Sequence, residues 1–285
     1  MGRVIVIAVA VSLLSPGVPE AAPPDSPAAA RPRPPDLPAA ARPQRPTGLR
    51  PLVIDADVDH AVEIPPQLTH FHGREIAQTM HFTGAPWLVR ESRQREEDCR
   101  MLLDALEVRR GATVCDLGCG NGFYTIELAR RVGPQGVVYA VDIQPEMLRM
   151  LAERAAFEGL WNIRPVLGTV IDPRLPTGEI DLVLCVDVYH EFSHPEQMLA
   201  RMHESLAPGG RLVLAEFRGE DPAVPIKPLH KMTKAQIRQE LEPAGFAVVR
   251  EFDRLPWQHL VFLEARGREA EPADVAEDEP VAAAR

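Results

Sequence analysis

The 285 residues carry 41 acidic and 31 basic side chains, a net charge of −10, with no stretch in which Lys and Arg alternate with aromatics. Duplex DNA or RNA is therefore not expected as a partner. A content of 45% hydrophobic and 25% charged residues fits a globular protein of one large domain or two small ones.

In chain order, residues 1–14 combine one early positive charge with an apolar run from Val4 to Leu14. That length fits a secretory signal or anchor segment and falls short of a membrane span; the competing reading is a misplaced start codon, since no other Met precedes Met80. Residues 15–50 contain most of the twelve prolines found between Pro16 and Pro51, with abundant Ala and Arg, and read as a disordered linker. Residues 51–110 form an N-terminal extension. Within it, "THFHGREIAQTMHFTGAPWLVRESR" gathers His70, His72, His81, Trp87 and Arg90 without the period of a strand or a single helix. Its three histidines, with His230 or Glu75, would suffice for a metal site, but no metal is expected. A helix is predicted over 91–107, with Cys99, Leu102, Leu103 and Leu106 on one face.

From residue 111 apolar runs alternate with amphipathic ones. "ATVCDLG", "VVYAVDI", "IRPVLG", "IDLVLCVDV" and "GGRLVLAEF" read as buried strands, interleaved with helices in "NGFYTIELARRV", "QPEMLRMLAERAAFEGL" and "HPEQMLARMHESL". A helix in "TKAQIRQELEPAG" follows, then two strands, "FAVVREF" and "HLVFLEAR", with no helix between them. This predicts an α/β, Rossmann-like, doubly wound, mostly parallel seven-stranded sheet with an antiparallel edge and helices on both faces. Residues 267–285, with six acidic and two basic side chains, read as an acidic disordered tail.

Ligands of such sheets sit beyond the carboxyl ends of the strands. The first strand ends in "DLGCGNG". Its G-x-G-x-G pattern has Phe123 where the dinucleotide fingerprint needs a third, later glycine, and no G-K-[ST] follows, so pyrophosphate is disfavoured. Cys115 and Cys119 lack a second Cys/His pair at zinc-finger spacing and read as core fillers. Asp142, ending the second strand, suits the two hydroxyls of a ribose. The expected ligand is a nucleoside with a small zwitterionic tail.

"VCDLGCGNGFYTIELA", "VYAVDIQPEML" and "LAPGGRLVLAEF", in this order and spacing, resemble the class I methyltransferases that use S-adenosylmethionine. The resemblance implies that cofactor. It implies that the loop residues Asp116, Gly118, Cys119, Gly120, Asn121 and Gly122 line its methionine moiety. Asp116 would help hold the ammonium and backbone amides the carboxylate. Asp142 would take the ribose, Ile143 would pack on adenine, and Asp187 joins the binding set. Where the family commonly has an acid near the adenine amino group, this chain has Thr169; Asp172, three positions later, is the candidate, with a turn-forming role as its alternative.

"DVYHEFSHPEQ" supplies the catalytic candidates. His190 is the best-placed base and Glu191 its orienter or substitute, against a reading in which His190 only shapes the pocket. "VPIKPLHKMT" is expected to overhang the same site with Lys227, His230 and Lys231. The D/N-P-P-[YFW] motif of amino-directed nucleic-acid methyltransferases is replaced by "DVYH". The acceptor is thus expected to be a small molecule, moved to by in-line displacement; the alternative function is a catalytically inactive cofactor-binding sensor or partner. The N-terminal run points to export or anchoring, the cofactor to the cytoplasm.

Overall fold

A computed structural model describes residues 63–267 of the chain. The expectations for 1–14, for 15–50 and for the tail beyond Gly267 lie outside the described residues.

Seven long strands form the central sheet: β1 (Thr113–Leu117), β2 (Val137–Asp142), β3 (Ile163–Leu167), β4 (Ile180–Val186), β5 (Leu206–Arg218), β6 (Phe246–Phe252) and β7 (Gln258–Ala265). Their spatial order is 3-2-1-4-5-7-6, and a two-residue strand, Lys231–Met232, adds to β5 as an eighth. The pairings among β1 to β5 are parallel. β7 runs antiparallel to both β5 and β6, as the missing helix between the last two strands requires. Strand order reverses between β1 and β4, so the carboxyl ends of those strands open a crevice.

The helices are α1 (Ala85–Leu88), α2 (Arg93–Glu97), α3 (Cys99–Ala105), α4 (Phe123–Val132), α5 (Pro145–Phe157), α6 (Pro195–Ser205) and α7 (Lys234–Leu241). Alternate strand residues feed two cores. Val114, Leu184 and Val213 pack with Leu128 of α4 and Leu148 and Leu151 of α5. Cys115, Val183 and Leu214 pack with Met198 and Leu199 of α6 and Ile237 of α7 on the other face. All four cysteines are free and buried, as core fillers should be. Among the described residues no helix is long and apolar enough to cross a membrane.

The helix expected over 91–107 is two helices. Asp98 adopts the left-handed conformation (φ 46°, ψ 59°), ending α2, and its side chain accepts the Met101 N–H to cap α3. A carboxylate able to make its own cap hydrogen bond competes with the continuing helix, which the apolar spacing does not register. The break turns α2 toward the crevice, where its buried Arg93 and Glu97 are used.

Candidate active site

The loop after β1 is bound to β2. The N–H groups of Gly118 and Cys119 both donate to the Val141 carbonyl, and the Gly120 N–H donates to Asp142 Oδ2 at 2.9 Å. Gly118, Gly120 and Gly122 all have positive φ, and a Cβ on Gly118 would stand 2.5 Å from both methyls of Val188. Glycine is thus required for conformation and for close approach. The amides of residues 118–120 are engaged with the protein itself and are not turned to an outside anion.

Above the loop lies a cavity of about 780 Å³, within the range of roughly 300–1,000 Å³ typical of small-molecule sites. Five expected cofactor residues line it: Gly118, Gly120, Asp142, Ile143 and Asp187. The other five do not. Asp116 shares its strand face with Val114, so it points under α4, where its carboxylate accepts a 2.5 Å hydrogen bond from Thr125 Oγ1. Burial pushes the Asp116 carboxyl up to about 6 despite that bond. Cys119 is buried, Asn121 donates to the Ala85 carbonyl, and Gly122 caps α4 in the left-handed conformation. Asp172 is the turn former: it accepts the Arg174 N–H, donates its own N–H to Thr169 Oγ1 and stands 3.8 Å from Arg201, while Thr169 and Val170 line the cavity instead.

Asp142 accepts the Gln144 N–H on its second oxygen at 2.9 Å and is only 7% exposed, with burial raising its pKa. Asp187, at the end of β4, has φ 54° and accepts two hydrogen bonds from Gln258 Nε2 at 2.9 and 2.8 Å. Burial, then Glu97 and Glu216, raise its pKa well above the usual carboxylate range. Glu97 is itself held by Arg90 and Arg93, each at 2.7 Å. Arg90, Arg93, Glu97 and Asp187 all border the cavity, two cations and two carboxyls side by side.

After β4, the short helical turn Tyr189–Glu191 carries the catalytic candidates. His190 is buried, with Nδ1 2.7 Å from Glu216 Oε2; the other Glu216 oxygen accepts the Tyr189 N–H. Burial lowers the His190 pKa, but the Glu216 charge and hydrogen bond outweigh it and leave the value raised. Burial lifts the Glu191 carboxyl to about 7, against the pull of His190. His190 Nε2 lies 3.1 Å from His230 Nδ1, and Glu191 Oε1 lies 3.9 Å from each of those nitrogens. His190, Glu191, His230 and Lys227 border the cavity, whereas Lys231 turns away to the Asp221 carbonyl. His70, His72, His81 and Glu75 are exposed outside it, so His230 is the one member of the sequence-level metal set that reaches the site.

The residues missed from the sequence are Glu216, Arg93 and Glu97. Glu216 lies inside an apolar strand, "LVLAEF", where a charged residue with 0% exposure is itself a signal. Arg93 and Glu97 look in sequence like an ordinary i,i+4 surface pair.

A sheet ordered 3-2-1-4-5-7-6, with a glycine loop after its first strand and an acid ending the second, is the fold of S-adenosylmethionine-dependent methyltransferases of class I. A family model described as a methyltransferase domain matches residues 109–258, more than half of the chain, and the protein belongs to that family. A crystal structure of a SAM-dependent methyltransferase from Aquifex aeolicus matches with a TM-score of 0.61 at 26% identity, over 65% of this chain and 98% of that one. Nocamycin O-methyltransferase from Saccharothrix syringae is 37% identical over 115 residues, 40% of this chain and 41% of its own. The ubiquinone/menaquinone biosynthesis C-methyltransferase of Citrobacter koseri is 32% identical over 155 residues, 54% of this chain and 60% of its own. The chain therefore spans less than two thirds of the length of these curated relatives.

Proposed function

We propose that the cavity binds S-adenosylmethionine together with a small-molecule acceptor, and that the protein methylates that acceptor. The observation carrying this reading is that one cavity is bordered both by Asp142 with the glycine loop and by His190, Glu191 and His230. The donor set fits the cofactor. Asp142 retains lone pairs for a ribose diol beyond its two backbone bonds. Ile143, Met147 and Val170 offer an apolar bed for adenine. Arg90 and Arg93 beside Glu97 and Asp187 suit the carboxylate and ammonium of an amino acid, the role that the sequence assigned to the loop amides and Asp116. A Cβ on Gly118 or Gly120 would crowd Val188 or Leu88, both cavity residues.

When bound, the sulfonium supplies an electrophilic methyl group. The protein's part is alignment of the acceptor, which is worth several kcal/mol in such displacements, and relief of the acceptor's proton. His190 and Glu191 perform the second task, with Glu216 fixing the imidazole by its Nδ1. Relatives named for O- and C-methylation favour a small organic acceptor with a hydroxyl or enolisable carbon. Calorimetric titration of the full chain with S-adenosylmethionine and with its demethylated product should give micromolar binding of both. Binding of neither would remove this reading.

A further inference from the structure

We propose that His190 Nε2, His230 Nδ1 and Glu191 Oε1 hold a divalent transition-metal ion, and that an oxygen of the acceptor completes its coordination. This rests on the methyltransferase reading for the acceptor, but not for the ion, and it departs from the sequence expectation of no metal.

The three atoms converge within 4.8 Å of one another. Ligands about 2.0–2.2 Å from one ion stand roughly 3.0–3.5 Å apart. The nitrogen pair already does, at 3.1 Å, while Glu191 at 3.9 Å has to move inward by a fraction of an ångström. The two imidazole planes stand at 89°.

The hydrogen bonds around the cluster leave room for an ion. A neutral His190 that donates Nδ1–H to Glu216 has only a lone pair at Nε2. Without an ion that lone pair accepts the Nδ1–H of His230 at 3.1 Å; an ion would take the place of that proton and draw in the carboxylate oxygen of Glu191 as well. Glu216 takes the part played by the outer carboxylate of many metal-bound histidines: it sets tautomer and ring direction, and both its oxygens are engaged. Two imidazoles and one carboxylate suit Zn²⁺, Mn²⁺ or Fe²⁺ rather than Mg²⁺ or Ca²⁺, which prefer oxygen.

All three residues border the cavity, so the remaining coordination positions face the space assigned to the acceptor. With the ion bound, His190 and Glu191 relieve the acceptor's proton as ligands and not as bases: a hydroxyl or enol oxygen bound there would ionise nearer neutrality and release its proton to water. The ligand class is therefore a small molecule with a metal-binding oxygen.

The test is calorimetric titration of full-length, tag-free, chelator-treated protein with Zn²⁺, with Co²⁺ as an optical probe of the ligand field. One ion per chain is expected. Glu191→Gln and His230→Ala should each weaken binding by about tenfold or more. His230 has a side chain 35% exposed, so its removal should leave the circular dichroism spectrum unchanged. His81→Ala, outside the cavity, should not alter affinity. Absence of stoichiometric binding, or affinity unmoved by both ligand substitutions, overturns the site. S-adenosylmethionine binding is measured separately on the ion-free protein. Its failure with zinc binding intact refutes the methyl-transfer reading alone; failure of zinc with cofactor binding intact refutes the ion alone.

Discussion

Asp142 ties two chain segments with one carboxylate, accepting the Gly120 N–H and the Gln144 N–H, and still presents that carboxylate to the cavity. Asp142→Ala should weaken S-adenosylmethionine and its product alike by well over tenfold in a calorimetric titration; unchanged affinity would mean the ribose is held elsewhere. Asp116 makes a different prediction, because it lies beneath the loop. Its folded-state value of about 6 is above that of the unfolded chain, so the folded state binds the extra proton between pH ~4 and ~6. Its contribution to stability is complete below the unfolded value and is lost as pH rises through 6. Relative to Asp116→Asn, the wild type should lose about 1 kcal/mol between pH 5 and 7 in urea unfolding. Parallel pH profiles for the two proteins would show that Asp116 is already ionised at pH 5. The motif spelled Asp116 as a ligand residue, but its orientation depends on strand parity relative to α4, and a glycine-loop pattern carries no information about that.

At the level of elements, the fold was legible because its strands are short apolar runs separated by helices of 3.6 period, and because "DRLPWQ" is too short for a crossover. What was not legible depends on a few backbone angles or on distant partners. Asp98 breaks a helix whose apolar spacing runs straight through it. Asp172 takes the turn-forming role that the sequence left as its alternative, and Thr169 borders the cavity instead, because the chain turns between them. The glycine loop was readable as a ligand loop, yet its third glycine serves helix packing. A Cβ on Gly122, at φ 83°, would stand 2.2 Å from Leu151 Cδ1, which is fully buried in α5. Gly122→Ala should cost about 2–4 kcal/mol, combining left-handed strain with overpacking. Gly111 provides the control, with the same φ of 83° and nothing within 4 Å of the added carbon. Gly111→Ala should cost only the strain, about 1–2 kcal/mol. Equal losses in chemical denaturation would show that α5 yields and that close packing is not what fixes this glycine.

Across the whole molecule, the N-terminal extension is joined to the methyltransferase domain by a buried ion pair that spans 166 residues of sequence. Arg74 meets Glu240 of α7 through Nε at 2.7 Å and Nη2 at 2.9 Å, and gives its Nη1–H to the His190 carbonyl at 3.0 Å. Tyr189 Oη donates to the same Glu240 at 2.8 Å. Arg74 is 7% exposed and Glu240 1%, so neither charge has water as an alternative partner. One guanidinium thus fixes the hairpin at His70–Glu75, the turn that carries His190 and the helix behind both. Such a pair adds little net stability when compared with apolar residues, but removal of one member leaves a buried charge uncompensated. Arg74→Ala should therefore cost about 3–5 kcal/mol, a fall in Tm of roughly 10 °C for a domain of this size. Arg74→Met combined with Glu240→Gln removes both charges and keeps an acceptor for Tyr189, and it should recover more than half of that loss. If the double variant is no more stable than Arg74→Ala, the contribution of Arg74 lies in its hydrogen bond to the buried His190 carbonyl, which methionine cannot make, and not in the pairing of its charge.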